Sequence, residues 1–197
     1  MAASGAEAAA PLPGLRLDGA TGDALQTLRA WAQAQNRDAL AQACERYARQ
    51  SPSLDARALP GPTGESNLYA LQPREAVLCL AEHDDDRLLQ LAAVLAVDGL
   101  PLWPSGDVAL LPAALQARVR QVPDWRAAAF DAVLLHGDAA RRRDVLAQLA
   151  QRPGPLVLLQ AYDPGDTAIA LERLVVERSL SINTAAAGGN ASLMAIG

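Results

Sequence analysis

The chain has two histidines and two cysteines to offer metal, acid–base or nucleophilic chemistry. His83 precedes Asp84, Asp85 and Asp86, donor types that suit a divalent cation. Three consecutive acids on a helix point in different directions, and at its N-terminus they complement the dipole. A solvated helix start is therefore the expected role. His136 follows the apolar run DAVLL and reads as a hydrogen-bonding group at a strand end. Cys44 in QACERY and Cys79 in VLCLAE lie in apolar helical and strand-like contexts, which makes them small core residues in a reducing compartment rather than a disulfide. Neither is glycine-flanked or loop-borne, as an exposed nucleophile would be.

A dinucleotide fingerprint needs G-x-G-x-x-G between a strand and a helix, so that backbone amides approach the pyrophosphate. GPTGES lacks the middle glycine and precedes a strand; Gly137 in LHGDAARRR stands alone at a strand-to-helix turn. Asp138 there would repel a phosphate and serves better as an N-cap. Arg141, Arg142 and Arg143 could clamp an anion, but consecutive arginines on a helix diverge, which favours a solvated face. All 17 basic residues are arginine, so there is no P-loop lysine, Schiff-base lysine or lysine general base. On the residues alone no catalytic, cofactor-binding or metal site is assigned. The alternative left open is a Rossmann-like domain that retains a nucleotide-binding site.

The elements that must position these residues follow from periodicity. Residues 23–50 read as a helical hairpin. Its first helix has Leu25, Leu28 and Trp31 at helical spacing behind a cap at Thr21 or Asp23; its second has Leu40, Cys44 and Tyr47 on one face behind Asn36. SPSLDARALPGPTGES, with Pro60, Gly61, Pro62 and Gly64, excludes regular structure and marks the clearest internal boundary. Beyond it NLYALQ, AVLCLA, LPLW, FDAVLLHG, PLVLLQAY and LSIN read as strands. Residues 84–97, LLPAALQARVRQV, DAARRRDVLAQLAQR and TAIALERLVVER read as helices. Unalternating strands separated by such helices predict an α/β fold: an open, mainly parallel Rossmann-like sheet with helices on both faces, preceded by a helical segment. Its central strands should include residues 77–81, 132–135 and 156–159.

Composition limits the function classes. A chain of 197 residues can bury roughly 70% of its unfolded surface. With 51% hydrophobic but only 4% aromatic residues, its core must be built mainly from Leu, Val and Ala. A net charge of −5 gives no attraction to nucleic acid or anionic lipid. No run approaches the roughly 18 apolar residues of a membrane span, so no membrane insertion is expected. MAASGAEAAAPLPG has neither the basic nor the apolar region of a signal peptide and reads as a flexible leader or linker stump, as of a domain cut from a longer protein. The terminal SINTAAAGGNASLMAIG carries no charge, an unusual composition for a chain end.

Three stretches, LPGPTGESNLYALQPREAVLCLAE, LLQLAAVLAVDGLPLW and above all LERLVVERSLSINTAAAGGNASLMAIG, resemble the C-terminal end of long-form proline utilization A proteins. The likeness runs from about Leu59 to Gly197 and is most specific in INTAAAGGNASLM. That family is bifunctional, joining an FAD-dependent proline dehydrogenase to an NAD-dependent L-glutamate-γ-semialdehyde (1-pyrroline-5-carboxylate) dehydrogenase. Its long forms add a domain related to the Rossmann domain of aldehyde dehydrogenases. The resemblance implies a leader over residues 1–22, a helical linker segment over 23–58, and an accessory domain over 59–197 that ends in the motif 181–197.

The aldehyde dehydrogenase cysteine, in its G-Q-x-C type context, has no counterpart here, the flavin-binding barrel is missing, and so is the lysine near the adenine ribose. The resemblance therefore implies a chain that is not itself an enzyme, holds no cofactor of its own, and belongs to a cytoplasmic parent that uses FAD and NAD. Its expected partner is the parent's aldehyde dehydrogenase domain, whose active site the tail covers, helping to seal the tunnel for the intermediate. Gly188 and Gly189 allow close backbone approach. Asn183, Thr184, Asn190 and Ser192 can satisfy buried backbone groups, and Leu193, Met194 and Ile196 supply apolar contact. These tail residues are the expected interdomain contacts; the competing role is completion of this domain's own sheet.

Overall fold

Leu25, Leu28 and Ala32 form one buried stripe on helix α1 (Thr21–Ala34), and Leu40, Ala43, Cys44 and Tyr47 form another on α2 (Asp38–Gln50). The computed structural model describes residues 21–61, 65–104 and 106–183. Asn36 is not the N-cap of α2, a position held by Arg37 without a side-chain cap. Asn36 instead adopts φ 54° and ends α1, where Arg37 N–H donates back to Ala32 O at 2.8 Å. Asparagine tolerates this left-handed turn better than other non-glycine residues, so the same residue type serves the preceding helix.

The chain continues through β1 (Arg57–Leu59), β2 (Glu65–Pro73), β3 (Val77–Ala81), α3 (Asp84–Ala96), β4 (Pro101–Trp103), α4 (Ala113–Gln116) and β5 (Arg120–Gln121). It then forms β6 (Ala132–His136), α5 (Ala139–Ala150), β7 (Leu158–Tyr162) and β8 (Val175–Asn183). Five of the strands make a wholly parallel sheet in the order β5-β4-β3-β6-β7. Val77, Cys79, Ala132 and Leu134 face one core, shared with α3, while Leu78, Leu80, Val133 and Leu135 face another, shared with Val145 of α5. Helices thus cover both faces, as a run of consecutive apolar strand residues requires. Residues 86–96 of α3 are all buried, because the sheet lies on one side of this helix and α1–α2 pack on the other. A helix buried on every side needs such cover from both directions.

The other three strands make a separate antiparallel sheet, β1-β2-β8. Here the structure corrects three expectations. Residues 57–59 and 65–66 are strand, and β1 pairs antiparallel with β2, so the proline- and glycine-rich stretch is not wholly irregular. NLYALQ does not join the parallel sheet; it lies within β2 and pairs antiparallel with β8 from Glu65↔Asn183 to Pro73↔Val175. TAIALERLVVER is no α-helix: residues 171–174 make a single 3-10 turn, and the chain then extends as β8. Nine ladder partners along β2, together with the β-branched Val175 and Val176, outweigh the local helical spacing. LLPAALQARVRQV likewise contains only the short α4, because Arg120 and Gln121 pair with β4. The strand expected at 156–159 begins at Leu158, where pairing with Ala132 starts, and leaves Leu156 fully exposed.

Candidate functional site

The titratable residues that could have done chemistry are held in structural contacts. His83 is exposed and stands at the N-cap position of α3. The three acids after it diverge: Asp84 pairs with Arg87, Asp85 with Arg37, and the buried Asp86 accepts from Gly165 N–H at 2.8 Å. Among the described residues no three His, Cys, Asp or Glu side chains gather as a metal site. Asp138 caps α5, accepting from Arg141 N–H at 2.7 Å. That carboxylate occupies the position where a phosphate would meet the helix dipole, so the turn does not fit a dinucleotide. Arg142 reaches Asp163 at 3.6 Å while Arg143 is exposed, a divergent set rather than a clamp.

His136 is buried at the end of β6, its ring stacked on Tyr162 with centroids 5.4 Å apart. Both ring nitrogens have partners: Gln90 Nε2 lies 2.9 Å from Nδ1, and Asp166 O lies 2.8 Å from Nε2. An open hollow of about 390 Å³ lies beside α2, lined by Arg46, Gln50 and residues 168–172. It brings together a guanidinium and the Glu172 carboxylate but no nucleophile.

Both cysteines are free and buried. Burial pushes the Cys44 thiol up to about 12, against the weaker opposing pull of Arg29. It raises the Cys79 thiol further, again with only partial opposition from Arg87. A nucleophile needs the opposite shift. Tyr47 is likewise raised to about 12, chiefly by burial. The unfolded chain releases these protons at ordinary thiol and phenol values, about 8.5 and 10, while the folded chain keeps them. Their contribution to stability is therefore whole below about pH 8.5 and is lost as pH rises toward about 12. Urea midpoints should fall steadily across that window, and a disulfide reagent at pH 8 should label neither cysteine before unfolding. A flat profile, or prompt labelling, contradicts the buried-thiol assignment.

What remains as an outward-facing feature is the antiparallel sheet. Residue alternation gives it two unlike faces. One carries Leu68, Ala70, Val176, Leu180 and Ile182, with Ile182 43% exposed, beside Ser66 and the hydrogen-bonded Gln72 and Arg178. The other carries polar pairs, among them Tyr69 OH to Glu177 Oε1 at 3.2 Å and Ser181 Oγ to Asn67. The sheet meets the body at its Pro73/Val175 end, where Arg74 N–H donates to Leu174 O at 3.0 Å and Leu71 packs on the core. The steps between the nine residues of β8, about 3.4 Å each, carry its far end roughly 27 Å away from that junction. Asn183 closes the strand there, opposite Glu65. The other expected contact residues, Thr184, Gly188, Gly189, Asn190, Ser192, Leu193 and Met194, lie outside the described residues.

No protein-family model matches the chain. The bifunctional protein PutA of Escherichia coli strain K12 is 47% identical over 180 residues, covering 88% of this chain and 14% of that protein. The chain is homologous to a segment of PutA. The PutA of Rhizobium meliloti is 43% identical over 150 residues, covering 71% of the chain and 12% of that protein. The chain therefore spans only about one seventh of the curated relatives that it matches. Among solved structures, a crystal structure of bifunctional PutA superposes with a TM-score of 0.56 at 19% identity, over 73% of this chain and 19% of that one. The Staphylococcus aureus aldehyde dehydrogenase AldH superposes with a TM-score of 0.51 at 11% identity, over 74% of this chain and 41% of that one. The α/β fold described above is thus shared with PutA and with an aldehyde dehydrogenase. Among the described residues no helix is long and apolar enough to cross a membrane.

Proposed function

We propose that the chain is the non-catalytic C-terminal accessory domain of a bifunctional PutA that converts proline to glutamate with FAD and NAD in the cytoplasm. Its partner is the aldehyde dehydrogenase domain of the same polypeptide, whose active site the tail covers while helping to seal the tunnel for the intermediate. The observation that carries this reading is the antiparallel sheet, which holds the start of the uncharged terminal motif roughly 27 Å out from the body. One face of that sheet carries Leu68, Leu180 and the exposed Ile182, apolar surface that a neighbouring domain would bury. An uncharged segment with two adjacent glycines can lie flat on a neighbouring cleft and exclude water.

The division of labour has a direct test. The purified chain is expected to oxidise neither proline nor glutamate semialdehyde, with or without added FAD and NAD. Both thiols are buried and hard to ionise, the reverse of what a nucleophile needs. Turnover above background that survives mutation of both Cys44 and Cys79 would overturn the accessory role.

A further inference from the structure

The centre of the parallel sheet is a topological switch point. From β3 the chain crosses by α3 to β4 on one side; from β6 it crosses by α5 to β7 on the other. The crevice at the carboxyl ends of two such strands is where an open α/β sheet takes its ligand. Here it receives the protein's own residues 163–170, a segment without helix or strand that runs from β7 toward the 3-10 turn at 171–174.

This segment is tied from several elements. His136 at the end of β6 meets Asp166 O at 2.8 Å, and Asp86 in the first turn of α3 accepts from Gly165 N–H at 2.8 Å. Thr167 O accepts from Tyr47 OH at 2.7 Å and from Arg46 Nη2 at 2.9 Å, both on α2. Ala170 N–H donates to Tyr162 OH at 3.0 Å, and Ile169 is buried. The histidine contact has a defined polarity. Gln90 Nε2 faces two strand carbonyls, Leu80 O at 2.9 Å and Leu134 O at 3.2 Å, which orient its amide with the nitrogen toward them. Of its two protons one is shared by these carbonyls and the other goes to Nδ1 of His136, which leaves the imidazole proton on Nε2 to bond Asp166 O. Gly165 has φ 83°, the left-handed conformation that lets the segment bend back over the strand ends.

We infer that residues 163–170 are a built-in occupant of the sheet's ligand crevice, a strap that closes the switch point to a dinucleotide and clasps α2 to the strand ends. Asp138 at the neighbouring helix N-terminus excludes phosphate from the same turn. The inference concerns this chain's own crevice and stands whether or not the tail covers an aldehyde dehydrogenase.

Amide hydrogen exchange in the 197-residue chain, read by NMR, tests it. The Gly165 and Ala170 amides should be protected although neither lies in a helix or strand. Tyr47→Phe, which removes one hydroxyl and keeps the ring, should speed both by about 3–10-fold, the worth of one hydrogen bond. His136→Phe should act in the same direction. The amides of Cys79 and Leu134 should keep their rates in Tyr47→Phe. NAD at millimolar concentration should leave the resonances of residues 137–141 and 163–170 in place. Three results would overturn the strap: exchange of Gly165 and Ala170 at free-peptide rates, equal acceleration of Cys79 and Leu134 in Tyr47→Phe, or NAD-induced shifts at residues 137–141.

Discussion

Removing residues 183–197 from the full-length parent is expected to slow the semialdehyde dehydrogenase step by about tenfold or more, since misplacement by an ångström can cost as much as 100-fold. Proline oxidation should stay near its starting rate. The expectation rests on the proposed cover. The motif begins where β8 ends, at the end of the ladder away from the body, so its loss leaves the parallel sheet and both cores intact. On that proposal, what is lost is a segment that would exclude water from a neighbouring cleft. Gly189→Val should act in the same direction more weakly, because a β-branched side chain keeps another backbone at a distance. Steady-state rates with proline alone and with added 1-pyrroline-5-carboxylate separate the two activities, and the lag in coupled turnover reports transfer of the intermediate. Equal loss of both activities would reduce the tail to a folding element. Unchanged rates with a normal transient would remove the covering role altogether.

Leu91→Ala is expected to have the largest effect on stability, about 2–5 kcal/mol. Leu91 is fully buried in α3 and belongs to the core shared by the sheet and the α1–α2 layer. The neighbouring Ala92 and Ala93 are already small, so little side chain is at hand to refill the space. Against a total of about 5–15 kcal/mol, that loss should lower Tm by roughly 5–20 °C at this chain length. Leu156→Ala is the control: Leu156 is fully exposed, and its truncation should stay within about 0.5 kcal/mol. Thermal unfolding followed by circular dichroism gives both values. A Leu91→Ala variant that melts with the unaltered chain would mean that α3 is not the packed centre.

Elements whose local pattern and tertiary setting agree were legible beforehand. β3 and β6 have consecutive apolar residues that match a doubly covered strand, and α1–α2 show helical stripes that match a one-sided core contact. Asp138 was readable as a cap because its neighbours offered no better use for a carboxylate beside a helix start. Where a residue had two possible local uses, the pattern alone chose badly. Asn36 could cap a following helix or end a preceding one, and the hairpin geometry selected the second. Residues 171–178 could lie on a helix, and nine partners along β2 made them strand from Val175 onward. Arg152 gave no signal in the sequence. In the fold its guanidinium lies 4.0 Å from the Phe130 ring and donates to the carbonyls of Trp125, Arg126 and Ala128, tying down the loop before β6.

The sequence by itself determined the layered α/β class, the apolar identity of both cores, the absence of any lysine chemistry and the uncharged tail. These follow from residue type and local period, which do not depend on distant partners. The tertiary structure alone decided that β1, β2 and β8 form a second, antiparallel sheet, because strand pairing joins residues more than a hundred positions apart, such as Tyr69 and Ser179. It alone also decided that residues 163–170 fill the switch point. Their anchors, Tyr47, Asp86 and His136, are scattered over α2, α3 and β6, and a hydrogen bond to a backbone carbonyl or N–H leaves no mark in the sequence at that backbone group.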